Sequence, residues 1–164
     1  MGKMSAGIDE EIEKLEGLGE HARGLIGYAL YEGAAVAAAA VAAAVNELPV
    51  MEPDKRPFNG IPLNVISAQD KADLVAAVGI SGFFDTDDGR GTSIGFDGYA
   101  TRTEKRFPNG VPLPMIAASI DSGSSIRMKH PFMRKAERAC KAAALATMQA
   151  AADEYVSKYA GEET

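Results

Sequence analysis

A chain of 164 residues, 46% hydrophobic and 24% charged, has the length and composition of one soluble globular domain with a real core. Its net charge of −6 is uneven: residues 1–48 hold eight acids and three bases, residues 49–130 ten and nine, and residues 131–164 five and five. A single cysteine, Cys140, excludes an intramolecular disulfide and fits a reducing compartment, and the acidic N-terminus does not read as a signal peptide.

The first element is a short acidic helix over residues 8–16, with Ile8, Ile12 and Leu15 on one face, and Gly17 and Gly19 are expected to break it. A long helix follows from about Glu20 to Glu47. Ile26, Leu30, Ala34, Ala37, Val41 and Val45 form its apolar stripe, and Ala on most other faces lets neighbouring helices approach closely. Its most apolar stretch, residues 33–45, is too short to span a bilayer, so a packed helix is predicted and no membrane contact. Pro49 ends it.

After a Pro-rich loop, S-A-Q-D at 67–70 resembles a capping box for a helix over 68–78, with Gly79 at its C-terminal cap. Residues 80–99 read as a hairpin: a strand over Ile80–Asp85, a turn at Asp88-Gly89, and a strand over Thr92–Tyr99. Pro114 opens a short helix over Met115–Asp121, ended by Gly123, and Ser124–Lys129 reads as a short strand. Pro131 begins a last helix reaching about Tyr159, with Met133, Ala136, Cys140, Ala144, Met148, Ala151 and Tyr155 as its stripe. The fold class is α+β: long Ala-rich N- and C-terminal helices packed with a small antiparallel hairpin and short helices. Residues 1–164 form a single domain, with 1–19 as an acidic extension and 160–164 as a frayed tail.

Candidate chemistry is sparse. D-T-D-D-G-R-G at 85–91 fails the calcium-loop pattern, since the fifth, sixth and twelfth positions are Gly89, Arg90 and Phe96. There is no dinucleotide or phosphate-loop motif. The two histidines, His21 and His130, lack partners at zinc-ligand spacing, and Cys140 falls on an apolar stripe. No catalytic residue, cofactor or metal is predicted. One cluster stands out: Arg127, Lys129, Arg134, Lys135, Arg138 and Lys141, with Glu137 as the only acid among them. Several lie in the first turns of the last helix, where the macrodipole disfavours cations. Two readings stay open: ion pairing with the acidic N-terminal helix, within the chain or from a neighbouring subunit, or contact with nucleic-acid phosphates by residues 127–141.

Four stretches resemble the gene-product-ten-like phage tail-component family, the neck or tail-completion proteins of long-tailed bacteriophages. They are A-L-Y-E-G-A at 29–34, S-I-G-F-D-G-Y at 93–99, N-G-V-P-L-P-M-I-A-A-S-I-D-S-G-S-S at 109–125, and H-P-F-M-R-K-A at 130–136. Where the family usually has Pro-Ala after P-F-x-R, this chain has Lys135-Ala136, and the acidic front has no counterpart. The resemblance implies a virion assembly protein at the head–tail junction, made in the host cytoplasm, that acts as a ring-forming adaptor without catalysis. It further implies a homo-oligomer, most often a hexameric ring. The implied partners are head-completion or connector proteins and tail-tube or tail-terminator proteins, with DNA passing through the lumen.

For this role Phe132 is the expected aromatic anchor of the last helix and Pro131 fixes that helix's start. Arg134 offers a bidentate fork to a subunit or a phosphate, beside Arg138 and Lys141 on one helix face. Strand alternation puts Phe96 and Tyr99 on opposite sheet faces, one of them toward a partner. Finally, K-R-P-F-N-G-I-P-L at 55–63 and K-R-F-P-N-G-V-P-L at 105–113 are near copies. Each turns the chain toward a helix and sets an exposed pair, Lys55-Arg56 or Lys105-Arg106, on a loop. Shared turn chemistry or a shared partner surface both explain them.

Overall fold

Long runs of alanine interrupted by few side chains of any bulk make two helices the frame of this protein. The computed structural model describes residues 5–51, 65–87 and 89–160. Helix α1 spans Ser5–Asn46 and α4 spans Phe132–Ala160. They pack antiparallel: His21 meets Tyr159, Tyr28 meets Tyr155, Gly33 lies under Met148, and Glu47 pairs with Lys135. At 1.5 Å per residue α1 is about 63 Å long and α4 about 44 Å. Residues 5–20 of α1 therefore precede the last described contact with α4.

The expected break at Gly17 and Gly19 does not occur, and α1 runs straight through both. Glycine in a helix interior costs about 1 kcal/mol relative to alanine but keeps its N–H, so a helix this long absorbs it. The membrane expectation also changes. The apolar segment is His21–Asn46, 26 residues, long and apolar enough to cross a bilayer rather than too short, and 22% of its most apolar window is buried.

The larger apolar residues gather where the C-terminal end of α1 meets the start of α4. Val45, Leu48, Leu74, Ile116, Ile120 and Phe132 form the centre of this core. Helix α2, Ala68–Ala76, starts where predicted, with Ser67 Oγ accepting the Asp70 N–H at 3.0 Å. It ends at Ala77, so Gly79 is no cap and lies instead in strand β1, Val78–Ile80. Helix α3, Leu113–Asp121, buries Leu113, Ile116, Ala117 and Ile120, the i, i+3, i+4, i+7 pattern of a one-sided helix.

The predicted hairpin is present but divided. Strand β1 pairs antiparallel with β4, Ile94–Phe96, and β2, Phe84–Thr86, pairs with β3, Gly89–Gly91. Between them residues 81–83 face only residues 92 and 93. One extra residue on the first side breaks the ladder into two short pieces, as a bulge does. Ser81 N–H still donates to the Ser93 carbonyl at 2.8 Å. Residues 124–129 do not form a strand: Ser124 and Arg127 exchange backbone hydrogen bonds across a tight turn.

Candidate functional site

The basic cluster read from the sequence is not one patch. The turn at 124–127 swings Arg127 inward, where its Nη2 donates to Asp70 Oδ2 at 3.1 Å. Arg102 Nε donates to the other oxygen, Oδ1, at 2.6 Å, and Arg102 also pairs with Glu104. Asp70 is 2% exposed, the one buried charged residue among those described. It carries two roles. Its backbone receives the Ser67 cap, while its carboxylate joins α2 to two loops. The capping box is therefore half formed, because the acid three residues on reaches the guanidinium groups instead of the Ser67 N–H. Burial works against the charge of Arg102, but the hydrogen bonds and charges of Asp70 and Glu104 outweigh it and hold its pKa above the ordinary arginine value.

The start of α4 has acids to offset its cations. Asp121 Oδ1 accepts the Met133 N–H at 2.9 Å, so the last residue of α3 caps the first turn of α4. Lys135 pairs with Glu47, just after α1. Pairing of this cluster with the acidic front of the same chain is overturned by the helix direction. Antiparallel packing puts residues 8–16 beyond Tyr159, and Arg134 lies about 37 Å along α4 from that end.

Of the named surface candidates, Arg134, Arg138 and Lys141 are exposed on one face of α4 and, among the described residues, make no ion pair. Tyr99 is 66% exposed. Phe96 points the other way, half-buried, with its ring edge-on to Phe132 at 5.9 Å and 76°. Phe132, at 3% exposure, anchors the head of α4 as expected but is consumed by this chain's own core and offers no surface to a partner. Pro131 is exposed, and its carbonyl accepts the Lys135 N–H at 3.2 Å, opening α4.

Lys105 and Arg106 form the exposed corner of a turn in which Glu104 and Phe107 exchange backbone hydrogen bonds at 3.1 and 2.8 Å. The Arg106 guanidinium stands 5.6 Å from the Phe107 ring centre. Beyond the corner, N-G-V-P-L runs antiparallel to residues 98–100. Ala100 N–H donates to the Val111 carbonyl at 2.8 Å and Leu113 N–H to the Gly98 carbonyl at 3.0 Å. Gly110, at φ 102°, packs against the Ala100 carbonyl where no side chain fits. The other copy, with Lys55 and Arg56, lies outside the described residues.

Sequence reasoning missed Asp70, Asp121 and Glu47 as partners of the basic cluster. Each had been given a local role in a cap or at a helix end. Asp73 was also missed: it accepts Thr101 N–H at 2.7 Å, the Thr101 hydroxyl at 2.9 Å and Gln69 Nε2 at 2.8 Å, tying α2 to the strand-like segment after Tyr99. No group of three or more metal-ligating side chains occurs among the described residues. A scan against protein-family models, a search of the curated proteins and a search of the solved structures each return no match to this chain.

Proposed function

We propose that this protein is a structural assembly protein of a long-tailed bacteriophage, a ring-forming adaptor at the head–tail junction that joins copies of itself and neighbouring virion proteins without catalysis. The observation that carries this reading is the separation of charge along α1 and α4. The cations Arg134, Arg138 and Lys141 have a single acid of α4, Glu137, beside them and make no ion pair among the described residues, and the acids at the front of α1 lie at the opposite end of α4. A second copy satisfies both at once. The apolar segment of α1, largely unburied, and the motif resemblance at 93–99 and 130–136 support the same reading. The test is to add purified protein to heads and tails made without it and count joined particles. Joining that depends on this protein supports the role, and joining unaffected by it ends the proposal. Reversing the charge of Lys55-Arg56 and of Lys105-Arg106 should weaken joining to a similar degree if both loops meet one partner.

A second reading, a nucleic-acid-binding module, draws on the same exposed cations with Lys105, Arg106 and Lys129. It predicts duplex DNA binding that falls steeply with salt and is lost in Arg134→Ala/Arg138→Ala. No DNA binding at low salt would remove it.

A further inference from the structure

Helix α1 is longer than the helix that lies against it. α4 ends at Ala160, near His21, so residues 5–20 run about 24 Å past the end of the arm. This overhang is strongly acidic, with Asp9, Glu10, Glu11, Glu13, Glu16 and Glu20 against Lys14, a net of −5. It also has an apolar side. Ile8, Ile12 and Leu15 follow at i, i+4 and i+7 and share one face of the continuous helix. Most helical stability comes from packing such a face. α4 stops short of it, and the head lies at the opposite end of the arm.

The complementary surface is at that opposite end. Arg134, Arg138, Lys141 and Leu145 follow at i, i+4, i+7 and i+11 and form one exposed stripe of α4, with Leu145 57% exposed. Arg127 and Lys135 have carboxylate partners in this chain, whereas the three cations of the stripe make no ion pair among the described residues. Beside the stripe, where α1, α4 and β4 meet, lies a groove of about 410 Å³ with Val41, Ile94 and Met133 among its walls and Arg134 and Glu137 at its edge. Asp121, its other acid, is engaged by the Met133 N–H. An acidic amphipathic helix fits on both counts. Its apolar face has a groove to enter, and its carboxylates meet guanidinium and ammonium groups. Within one chain the match cannot be made. Antiparallel packing holds the overhang beyond Tyr159, and Arg134 lies about 37 Å from that end.

Resting on the assembly reading above, we infer that residues 5–20 of α1 from one copy dock on the Arg134–Leu145 face of α4 in a second copy, with Ile8, Ile12 and Leu15 toward the groove. Nucleic acid also binds cations, but it brings no apolar face to Val41, Ile94 and Met133 and gives the acidic overhang no place. Each copy carries one overhang and one stripe at opposite ends of its arm. The contact is therefore heterologous and can propagate until a ring closes.

The experiment is sedimentation velocity on the full chain from micromolar to about 1 mM, at low and high salt, with a melting temperature for every variant. Wild-type protein should self-associate, and less so at high salt. Ile12→Ser and Arg138→Glu should each weaken association by about tenfold or more. Both should leave the melting temperature of the monomer unchanged, because the overhang lies outside the arm and Arg138 is exposed. The decisive measurement mixes Ile12→Ser/Glu13→Lys, which keeps only its stripe, with Arg134→Glu/Arg138→Glu, which keeps only its overhang. Each alone should stay monomeric, and the mixture should form a one-to-one dimer and nothing larger. Wild-type protein that is monomeric at the highest concentration overturns the inference, as does a mixture that forms no dimer. An Arg134→Glu/Arg138→Glu variant that loses duplex DNA binding yet associates like wild type overturns it too, since the cations then serve nucleic acid. Association that ignores both sets of substitutions removes this contact and leaves the assembly reading standing. Head–tail joining, measured separately, decides the assembly reading itself.

Discussion

At the end where α1, α2, α3 and the hairpin meet, Val45 and Leu74 are 0% exposed and Ile120 1%. Along the two-helix arm, residues 21–40 with 142–159, only Gly33, Ala34, Ala144 and Ala151 are buried. The head is filled by side chains of real volume. The arm closes by setting large side chains against glycine, with Tyr155 and Met148 over bare backbone at Gly24 and Gly33. One chain thus uses two ways of excluding water: interlocking bulk, and large side chains laid on glycine backbone. The two should fail in opposite ways, the head when a side chain shrinks and the arm when one grows.

The largest effect is expected from Leu74→Ala. It removes a fully buried side chain and should cost about 2–5 kcal/mol in urea unfolding, whereas Leu145→Ala on the arm should stay within about 0.5 kcal/mol. Equal costs would dissolve the distinction between the regions. Next is Asp70→Asn. It leaves Arg127, 15% exposed, without its carboxylate, and a loss of about 3 kcal/mol is expected. A neutral result would mean that α2 is held by Leu74 alone. In the arm, Gly33→Val should cost about 1–3 kcal/mol, because its methyls enter space held by Met148. Met148→Ala in the same chain should recover part of that loss, and a double mutant no better than Gly33→Val would place the strain elsewhere.

The smallest effect concerns pH and again belongs to the head. Burial raises the Asp73 pKa, but hydrogen bonds from Thr101 and Gln69 outweigh it and leave the carboxyl below its ordinary value. A depressed folded pKa contributes stability that is present above the unfolded pKa and lost as pH falls through the folded one. Wild-type protein should therefore lose stability more steeply than Asp73→Asn below about pH 4, with equal slopes near neutrality. Identical acid limbs would show that these hydrogen bonds do not favour the charged form.

Much of the architecture was legible because it is written in local signals. Pro49, Ser67, Pro114 and Pro131 mark helix limits through φ, capping and a missing N–H, and all four fall within a few residues of where helices end or begin. The stripe on α4 was readable for the same reason, since Ala136, Ala144 and Ala151 repeat at helical spacing and are buried. What misled was also local. Gly17 and Gly19 suggest a break, but glycine only weakens a helix, and cooperative propagation carries α1 across. The bulge at 81–83 holds Gly82, a residue that marks bulges, but the extra residue shows only when the two strands are laid in register.

The candidate surface was legible in part. Arg134, Arg138 and Lys141 share a face by periodicity alone, and the structure keeps them exposed. That Arg127 and Lys135 leave this group depends on Asp70 and Glu47, which are 57 and 88 residues away in sequence. Side-chain charge, alanine content and cap chemistry are properties of the sequence, and they determined the helices, their limits and the cationic stripe. The direction in which α4 returns along α1 was decided by the fold. That direction sends the acidic front to the far end of α4 and leaves three cations facing outward. Pairings this distant are fixed only when the whole core closes, because no short segment holds enough buried area to choose its neighbour.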